Sequence, residues 1–304
     1  MAIQWFPGHM HRARKQIAEA IPDIDLVIEV LDARLPFSSE NPLVEKLRMD
    51  KPCLKLLNKS DLADPAMTKR WLEYFNSQAN MRAIELIGLE PKQVKQITRF
   101  CHEMLPARQE SGKQIRTMIM GIPNVGKSTL INTLAGKVIA KAGNTPALTR
   151  HQQQIKLNNG IVLSDTPGIL WPKIHNVASG LRLAASGAVR DTAIDYQEVA
   201  EFALQHLLTE YAELIQTRYK LKELPATAHE ALAEIGKRRG FLRSGGIVDM
   251  HKAAEVFIHE LRAGTLGRIT FETPEMMLAE RAALAAAEAA ELREGENEDG
   301  STPS

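Results

Sequence analysis

Four short stretches of the chain carry residue types and spacings suited to nucleotide chemistry. Gly121-Ile-Pro-Asn-Val-Gly-Lys-Ser128 fits G-x-x-x-x-G-K-[ST]; it follows the apolar run 115–120 and leads into a helix-forming stretch from Thr129. In that context glycine lets backbone N–H groups wrap phosphate and the helix N-terminus adds its positive dipole end. Lys127 can then reach the β and γ phosphates, and Ser128 can hold Mg²⁺. Asn124, Val125, Gly126, Lys127, Ser128 and Thr129 are therefore phosphate-site candidates. Leu163-Ser-Asp165-Thr-Pro-Gly168 places an acid at the end of a strand, where Asp165 suits the Mg²⁺ shell and the Gly168 N–H lies open to a γ-phosphate. Alone, D-T-P-G could be an ordinary strand-ending turn. Between the two lies a loop rich in glycine, proline and hydroxyls, in which Thr149 is the candidate Mg²⁺ ligand and γ-phosphate sensor, with Thr145 competing.

The fourth stretch, Asn58-Lys59-Ser60-Asp61, lies upstream of all of these. A carboxylate can accept hydrogen bonds from guanine N1–H and its 2-amino group, whereas adenine presents an acceptor at N1 and no 2-amino group. Asp61 would select guanine, Lys59 would lay its aliphatic stem along the purine, and Asn58 would brace loop and base. Together with the two phosphate motifs this describes a GTP/GDP site.

Such a site requires strands that end at its loops and helices that cover them. The pattern predicts an α/β chain with a mostly parallel sheet and helices on both faces. Strands are expected at 26–31, 53–57, 83–87 and 115–120, then a hairpin pairing 153–157 with 161–164 across Asn158-Asn159-Gly160. Helices are expected from Asp64-Pro65 to about 79 and from Glu90-Pro91 to about 105, with 106–113 as a loop. Beyond Trp171-Pro172 helical periodicity takes over, with helices at 177–189, 196–217, 226–239 and 247–263. The expected organisation is a nucleotide-binding domain over 1–180, a small all-helical domain over 181–274, and an acidic tail over 275–304, helical at first and disordered at its end.

Composition sets the outer bounds. The 304 residues are 44% hydrophobic and 25% charged with mean hydropathy −0.21, and no stretch approaches the roughly 18 to 20 apolar residues of a membrane span. The first twenty residues lack the apolar core of a secretory signal. Cys53 and Cys101 form no C-x-x-C pair, which excludes a cysteine-built zinc site and fits a reducing, cytoplasmic setting. The net charge of +1 averages +10 over 1–190, −3 over 191–274 and −6 over 275–304. A basic segment of that size can draw a polyanion into reach, though a solvated surface can carry the same surplus.

N-K-S-D, G-I-P-N-V-G-K-S and D-T-P-G resemble the GTPase motifs G4, G1 and G3, in permuted order. The chain therefore resembles the circularly permuted GTPases of the ribosome-biogenesis GTPase A (YlqF) type. Trp5-Phe-Pro-Gly-His-Met10, Asp32-Ala-Arg-Leu-Pro36, Gly245-Gly246 and Leu266-Gly-Arg268 match that type as well, over roughly residues 3–274. The switch loop departs from the family's P-G-x-T, reading Pro146-Ala-Leu-Thr149, and no G5 base contact can be assigned near 83–87.

The resemblance implies GTP hydrolysis, RNA contact and assembly of the large ribosomal subunit, with a precursor particle and its rRNA as partners. DNA and integral membrane association are not expected, nor is a state beyond the monomer. Ile169 follows Gly168 where Ras-like enzymes carry a water-orienting glutamine, so the missing group must come from elsewhere. His9, in the turn before the basic helix, is the first candidate. Lys127, Thr149 and Gly168 complete the expected catalytic set, and resemblance to potassium-dependent GTPases implies K⁺ at Asn124. For RNA, the candidates are His11-Arg12-Ala-Arg14-Lys15 and a cluster of Lys237, Arg238, Arg239 and Arg243. The leading reading is a GTP-hydrolysing assembly factor with slow basal turnover stimulated by the ribosomal particle. Its rival is a nucleotide-gated RNA-binding protein whose hydrolysis is incidental; an ATP-using P-loop kinase conflicts with Asp61.

Overall fold

The computed structural model describes residues 8–140, 153–157, 159–171, 174 and 176–299, without the side chains of 8, 9, 153 and 288–299. The elements of the first half run α1 (Gly8–Ala20), β1 (Leu26–Asp32), α2 (Pro36–Ser39), α3 (Pro42–Arg48), β2 (Cys53–Asn58), α4 (Pro65–Asn76), β3 (Met81–Leu86), α5 (Pro91–Val94), α6 (Gln96–Met104), α7 (Pro106–Glu110), β4 (Ile115–Gly121), α8 (Lys127–Ala135), β5 (Gln153–Lys156) and β6 (Ile161–Asp165). Helices follow: α9 (Val177–Ser186), α10 (Tyr196–Glu210), α11 (Ala212–Tyr219), α12 (Ala228–Arg238), α13 (Met250–Arg262) and α14 (Pro274–Asp299).

The six strands form one sheet in the order β3-β2-β1-β4-β6-β5, parallel throughout except for the antiparallel β5–β6 hairpin. β1 and β2 are buried at every position, as strands covered on both faces should be. The chain builds β1, β2 and β3 outward in one direction, then returns to place β4 on the other side of β1. The order therefore reverses between β1 and β4, and the crevice at their C-terminal ends is where such sheets bind ligands.

Local signals set the helix starts. Asp64 caps α4, its carboxylate accepting from the Ala66 and Met67 amides with Pro65 in the first turn, and Thr227 and Glu230 form a reciprocal capping box on α12. Three expectations change. The stretch 106–113 begins with the short helix α7 instead of being all loop. The helix expected over 196–217 is two, because Tyr211 leaves helical backbone (φ −137°, ψ 35°) and its hydroxyl meets Asp64 Oδ2 and the Thr270 backbone. The alanine and glutamate run is helical through Asp299, and its first turns are docked on the rest of the molecule. Met277 is buried with Leu31, Trp71 and Phe75, and Glu280 pairs with Arg182 at 2.7 Å.

One core lies around the sheet, from Met10 to Val189, and a second joins α9 through α13 and the segment ending at Phe271. Helix α9 serves both, with Leu183 in the first and Leu181, Ala184 and Ala185 in the second.

Candidate guanine-nucleotide site

The loop after β4 and helix α8 form the phosphate end. Gly126 takes φ +102° at the α8 N-cap, and a Cβ there would stand 2.3 Å from Asn58 Nδ2, so only glycine fits. Gly168, at the end of the stretch after β6, is equally confined: its Cβ would meet Pro123 Cα at 2.9 Å and Lys127 Nζ at 3.1 Å. The two phosphate motifs thus touch. Lys127 is buried and donates from Nζ to the Gly121 and Ile122 carbonyls, both at 2.8 Å. Burial lowers its pKa to about 8, against an upward pull from Asp165.

Asp165 ends β6 at 1% exposure, and neither of its carboxylate oxygens has a hydrogen-bond partner among the described residues. Burial raises its pKa to about 6, opposed chiefly by Lys127. A buried carboxylate without partners is costly unless something cationic meets it, so this donor fits Mg²⁺. Among the described residues no group of three His, Cys, Asp or Glu side chains could hold a metal by itself; Asp165, together with the Ser128 hydroxyl at the start of α8, would hold Mg²⁺ with phosphate oxygens completing its shell. Mg²⁺ bound there would neutralise phosphate charge.

The base end is built by β2 and β3. Asn58 sits at the end of β2, buried, with its Oδ1 accepting from the Gly88 amide at 2.9 Å and its Nδ2 donating to the Val125 carbonyl at 2.8 Å. One side chain thereby ties the base loop, the phosphate loop and the turn after β3. Thr133 adds a second tie from α8, donating from Oγ1 to the Gly88 carbonyl at 2.8 Å. Gly88 lies one residue past the stretch 83–87 and reaches Asn58 because the Asn58–Leu86 register brings it alongside. Lys59 adopts φ +62° and pairs from Nζ with Asp32 Oδ2 at 2.9 Å. Burial lowers the Lys59 pKa, with Asp32 pulling the other way. For Asp32, burial acts upward, but Arg34 and Lys59 outweigh it and hold the carboxyl well below its usual range. Asp61 is exposed, and no hydrogen bond among the described residues engages its carboxylate.

Other candidates fall in different places. Asn124 takes φ +55° in the phosphate loop and donates from Nδ2 to the Gly187 carbonyl at 2.8 Å, at the C-cap of α9. Val125 is buried beneath the loop, while Ser128 and Thr129 open α8. Ile169 is 1% exposed and packed in the core, with its carbonyl held by Asn41 Nδ2 at 2.9 Å. His9 lies in the first turn of α1, its side chain outside the described residues, as are Thr149 and Thr145.

The two basic elements differ. On α1, Arg12, Arg14 and Lys15 are exposed while Met10, Ala13 and Ile17 are buried. In the helical half, Arg238 pairs with Glu234 at 3.0 Å, Arg243 with Asp249 at 2.9 Å, and Arg239 with Glu260, so acids offset much of that cluster. No helix among the described residues is long and apolar enough to cross a membrane.

The chain is similar to known proteins over most of its length. The family described as 50S ribosome-binding GTPase matches residues 116–229. The ribosome biogenesis GTPase A of Bacillus cereus is 46% identical over 282 residues, covering 90% of this chain and 95% of that protein. Its counterpart in Thermotoga maritima is 33% identical, covering 90% of this chain and 95% of that one. A GDP-bound YlqF structure aligns at TM-score 0.62 with 32% identity, covering 86% of this chain and 99% of the other. A permuted order of base and phosphate motifs, on a parallel sheet with its loops converging where the strand order reverses, accompanies relatives of this similarity along nearly their whole length. The chain belongs to the ribosome biogenesis GTPase A family of circularly permuted GTPases, enzymes that hydrolyse GTP to GDP and phosphate.

Proposed function

We propose that this chain is a GTP-driven assembly factor for the large ribosomal subunit, slow alone and stimulated by the ribosomal particle. The observation that carries the nucleotide half of this reading is Asn58, which fastens the base loop to the phosphate loop and the Gly88 turn through two hydrogen bonds. Guanine is read by Asp61 and covered by Lys59. The phosphates lie over Val125–Thr129 with Lys127 turning from its own loop carbonyls toward them, and Ser128, Asp165 and Thr149 hold Mg²⁺. The Gly168 N–H faces the γ-phosphate. Ile169 is apolar and buried, so it cannot orient water, and His9 supplies that function when α1 is seated on RNA. Asn124 contributes to a K⁺ site beside the phosphates. Basal turnover on the order of 10⁻⁴ to 10⁻² s⁻¹ follows from the absence of a polarising side chain.

The ribosomal half rests on the relatives' names and on the exposed Arg12, Arg14 and Lys15 of α1. The residues over 181–274 act as a helical ribosome-binding domain, and the acidic segment from 275 keeps its far end off RNA. Multiple-turnover GTP hydrolysis with and without large subunits, together with sucrose-gradient cosedimentation in GDP, GTP-analogue and apo states, tests the proposal. Stimulation and nucleotide-dependent cosedimentation are expected. Unstimulated hydrolysis, with full subunit binding retained in Lys127→Ala, would favour a nucleotide-gated RNA-binding protein.

A further inference from the structure

The motif Asp32-Ala-Arg34 takes no part in the nucleotide chemistry above, yet it lies directly beneath Lys59. Asp32 is 1% exposed at the end of β1. Arg34 folds back on it with two side-chain hydrogen bonds, Nε to Oδ1 at 2.9 Å and the guanidinium NH2 to Oδ2 at 2.8 Å, and adds its own amide to Oδ1 at 3.1 Å. That pairing already neutralises the carboxylate. Lys59 nevertheless brings a second cation to Oδ2 at 2.9 Å, so charge balance does not explain it. What the contact does is fix the far end of the Lys59 side chain, which is 24% exposed along its length, next to the exposed Asp61. The lysine is also held at φ +62°, a left-handed backbone conformation that is unfavourable for a residue with a side chain and persists where surroundings over-determine it.

Arg34 is in turn held from the far end of the chain. Phe271 donates its amide to the Arg34 carbonyl at 2.7 Å, Ile269 donates to the Leu62 carbonyl at 3.0 Å, and Thr270 Oγ1 accepts from the Asp64 amide at 3.1 Å. Glu272 continues the strap, accepting the Phe37 amide at 2.7 Å and the Trp71 indole N–H, through its backbone carbonyl, at 3.0 Å. Four consecutive residues leaving the helical half are thus hydrogen-bonded to the segment after β1 that carries Arg34 and to the β2–α4 segment that carries Lys59 and Asp61.

We infer that Asp32 and Arg34 are positioning residues for guanine-nucleotide binding, holding the Lys59 stem over the base, and that the strap 269–272 anchors them. The inference rests on the proposed placement of the base between Lys59 and Asp61. Because the pair acts at the base end, its loss weakens GDP and GTP alike. It follows that the helical half can tune nucleotide affinity without touching the phosphates.

The test is a double-mutant cycle on the full chain, read as the dissociation constants of fluorescent GDP and of a fluorescent non-hydrolysable GTP analogue. Lys59→Met and Asp32→Asn are each expected to weaken both nucleotides about tenfold, with the GTP-to-GDP preference unchanged within about twofold. In the Lys59→Met background Asp32→Asn should cost less than about threefold further, since the side chain it positions is gone. Thr270→Val should raise the GDP dissociation rate a few-fold in the wild-type background and not in Lys59→Met. Equal losses from Asp32→Asn in both backgrounds, which a merely structural role would give, overturn the inference while leaving the base site standing. Wild-type affinity in Lys59→Met overturns the base-site reading and the inference with it. If Asp32→Asn does not fold, Arg34→Lys, which keeps the charge and loses the bidentate geometry, replaces it in the same cycle.

Discussion

Asp165→Asn should make the nucleotide-free protein more stable while abolishing Mg²⁺-dependent nucleotide binding. Both carboxylate oxygens are buried without a hydrogen-bond partner among the described residues, and burial raises the carboxyl from its ordinary 3.8 to about 6. The sign follows from linkage. A carboxyl whose folded-state pKa is raised has its full stability below pH 3.8 and loses it as pH rises through 6, because folding then forces an anion into a poorly solvated place. At about 1.4 kcal/mol for each pH unit between those values, the folded state above pH 6 carries a cost of about 3 kcal/mol. That figure already contains the attraction of Lys127. An amide of the same shape carries no charge, so the variant recovers much of the cost, less what its own unpartnered N–H groups forfeit. For a chain of this length, about 2 °C accompanies each kcal/mol, and a rise of about 5 °C in the apo melting temperature is expected at pH 7.5. The assay is differential scanning calorimetry of both proteins at pH 7.5 and pH 4.5, with and without Mg²⁺ and GDP. The difference should shrink at pH 4.5, and Mg²⁺ with GDP should stabilise the wild type alone. A variant no more stable than wild type at pH 7.5, or a gain equally large at pH 4.5, would refute the reasoning.

Asn58→Ala should leave the Gly88 N–H and the Val125 carbonyl without partners. The expected cost is about 2–4 kcal/mol in thermal unfolding together with weaker GDP binding; unchanged affinity would argue that the two loops hold their places without it. Ile169→Gln is expected to cost about 1–3 kcal/mol, because the amide enters the packed core, and to leave basal hydrolysis within about twofold; a tenfold rise in single-turnover rate would show that the position can orient water. Lys127, held near pKa 8 by burial, is about half protonated at pH 8 before phosphate arrives and nearly fully protonated afterwards. GDP binding at pH 8 should therefore take up about half a proton, seen as a calorimetric enthalpy that depends on the buffer's ionisation heat. No buffer dependence, or the same dependence in Lys127→Met, would refute that assignment.

Most of the strand ladder is legible in local sequence. The apolar runs that end at Asn58, Gly121 and Asp165 are strands because each is long enough to cross the sheet and is followed by residues that stop it. The phosphate loop is legible for the same reason, since its chemistry is contiguous. What the sequence leaves hidden is what depends on register and return of the chain. Gly88 meets Asn58 only because β2 and β3 pair Asn58 with Leu86, and a lone glycine after a short strand carries no sign of that. The pairing of Lys59 with Asp32 needs β1 and β2 side by side, with Asp32 opposite Asn58, and the strap needs the last helices to turn back. Tyr211 breaks a helix whose apolar periodicity runs straight through it, because its hydroxyl is used against Thr270 and Asp64, partners too remote for propensity to register.

The permuted order has a consequence visible in the contacts at both ends of the helical half. At its entry, the chain leaves β6 at Asp165, passes Gly168 and enters α9. The carbonyl of Gly187 at the α9 C-cap receives the Asn124 amide of the phosphate loop, and the neighbouring carbonyls of Ala184 and Ala185 receive the Arg262 guanidinium of α13 at 2.8 and 3.1 Å. At its exit, the strap 269–272 is bonded to the base loop through Leu62, Asp64 and Arg34. An unpermuted chain, with phosphate loop first and base motif last, has no covalent reason to anchor an appended domain at both places. Under the proposed placement of GTP the helical half begins beside the phosphate loop and ends beside the base loop, so a shift of α9 driven from the phosphate end would meet resistance from the strap at the base end. Coupling through two anchors is stiffer than through one, and its strength is set by the weaker of them. The entry holds the Asn124–Gly187 bond, the Ser38–Ser179 hydroxyl pair at 3.0 Å and Leu183 in the sheet core, and the exit holds three backbone amides and the buried Glu272 carboxylate. Both anchors are therefore multiple, and rearrangement on hydrolysis is expected to move α9 and the strap together, seen as hydrogen exchange that changes at both between GDP and GTP-analogue states.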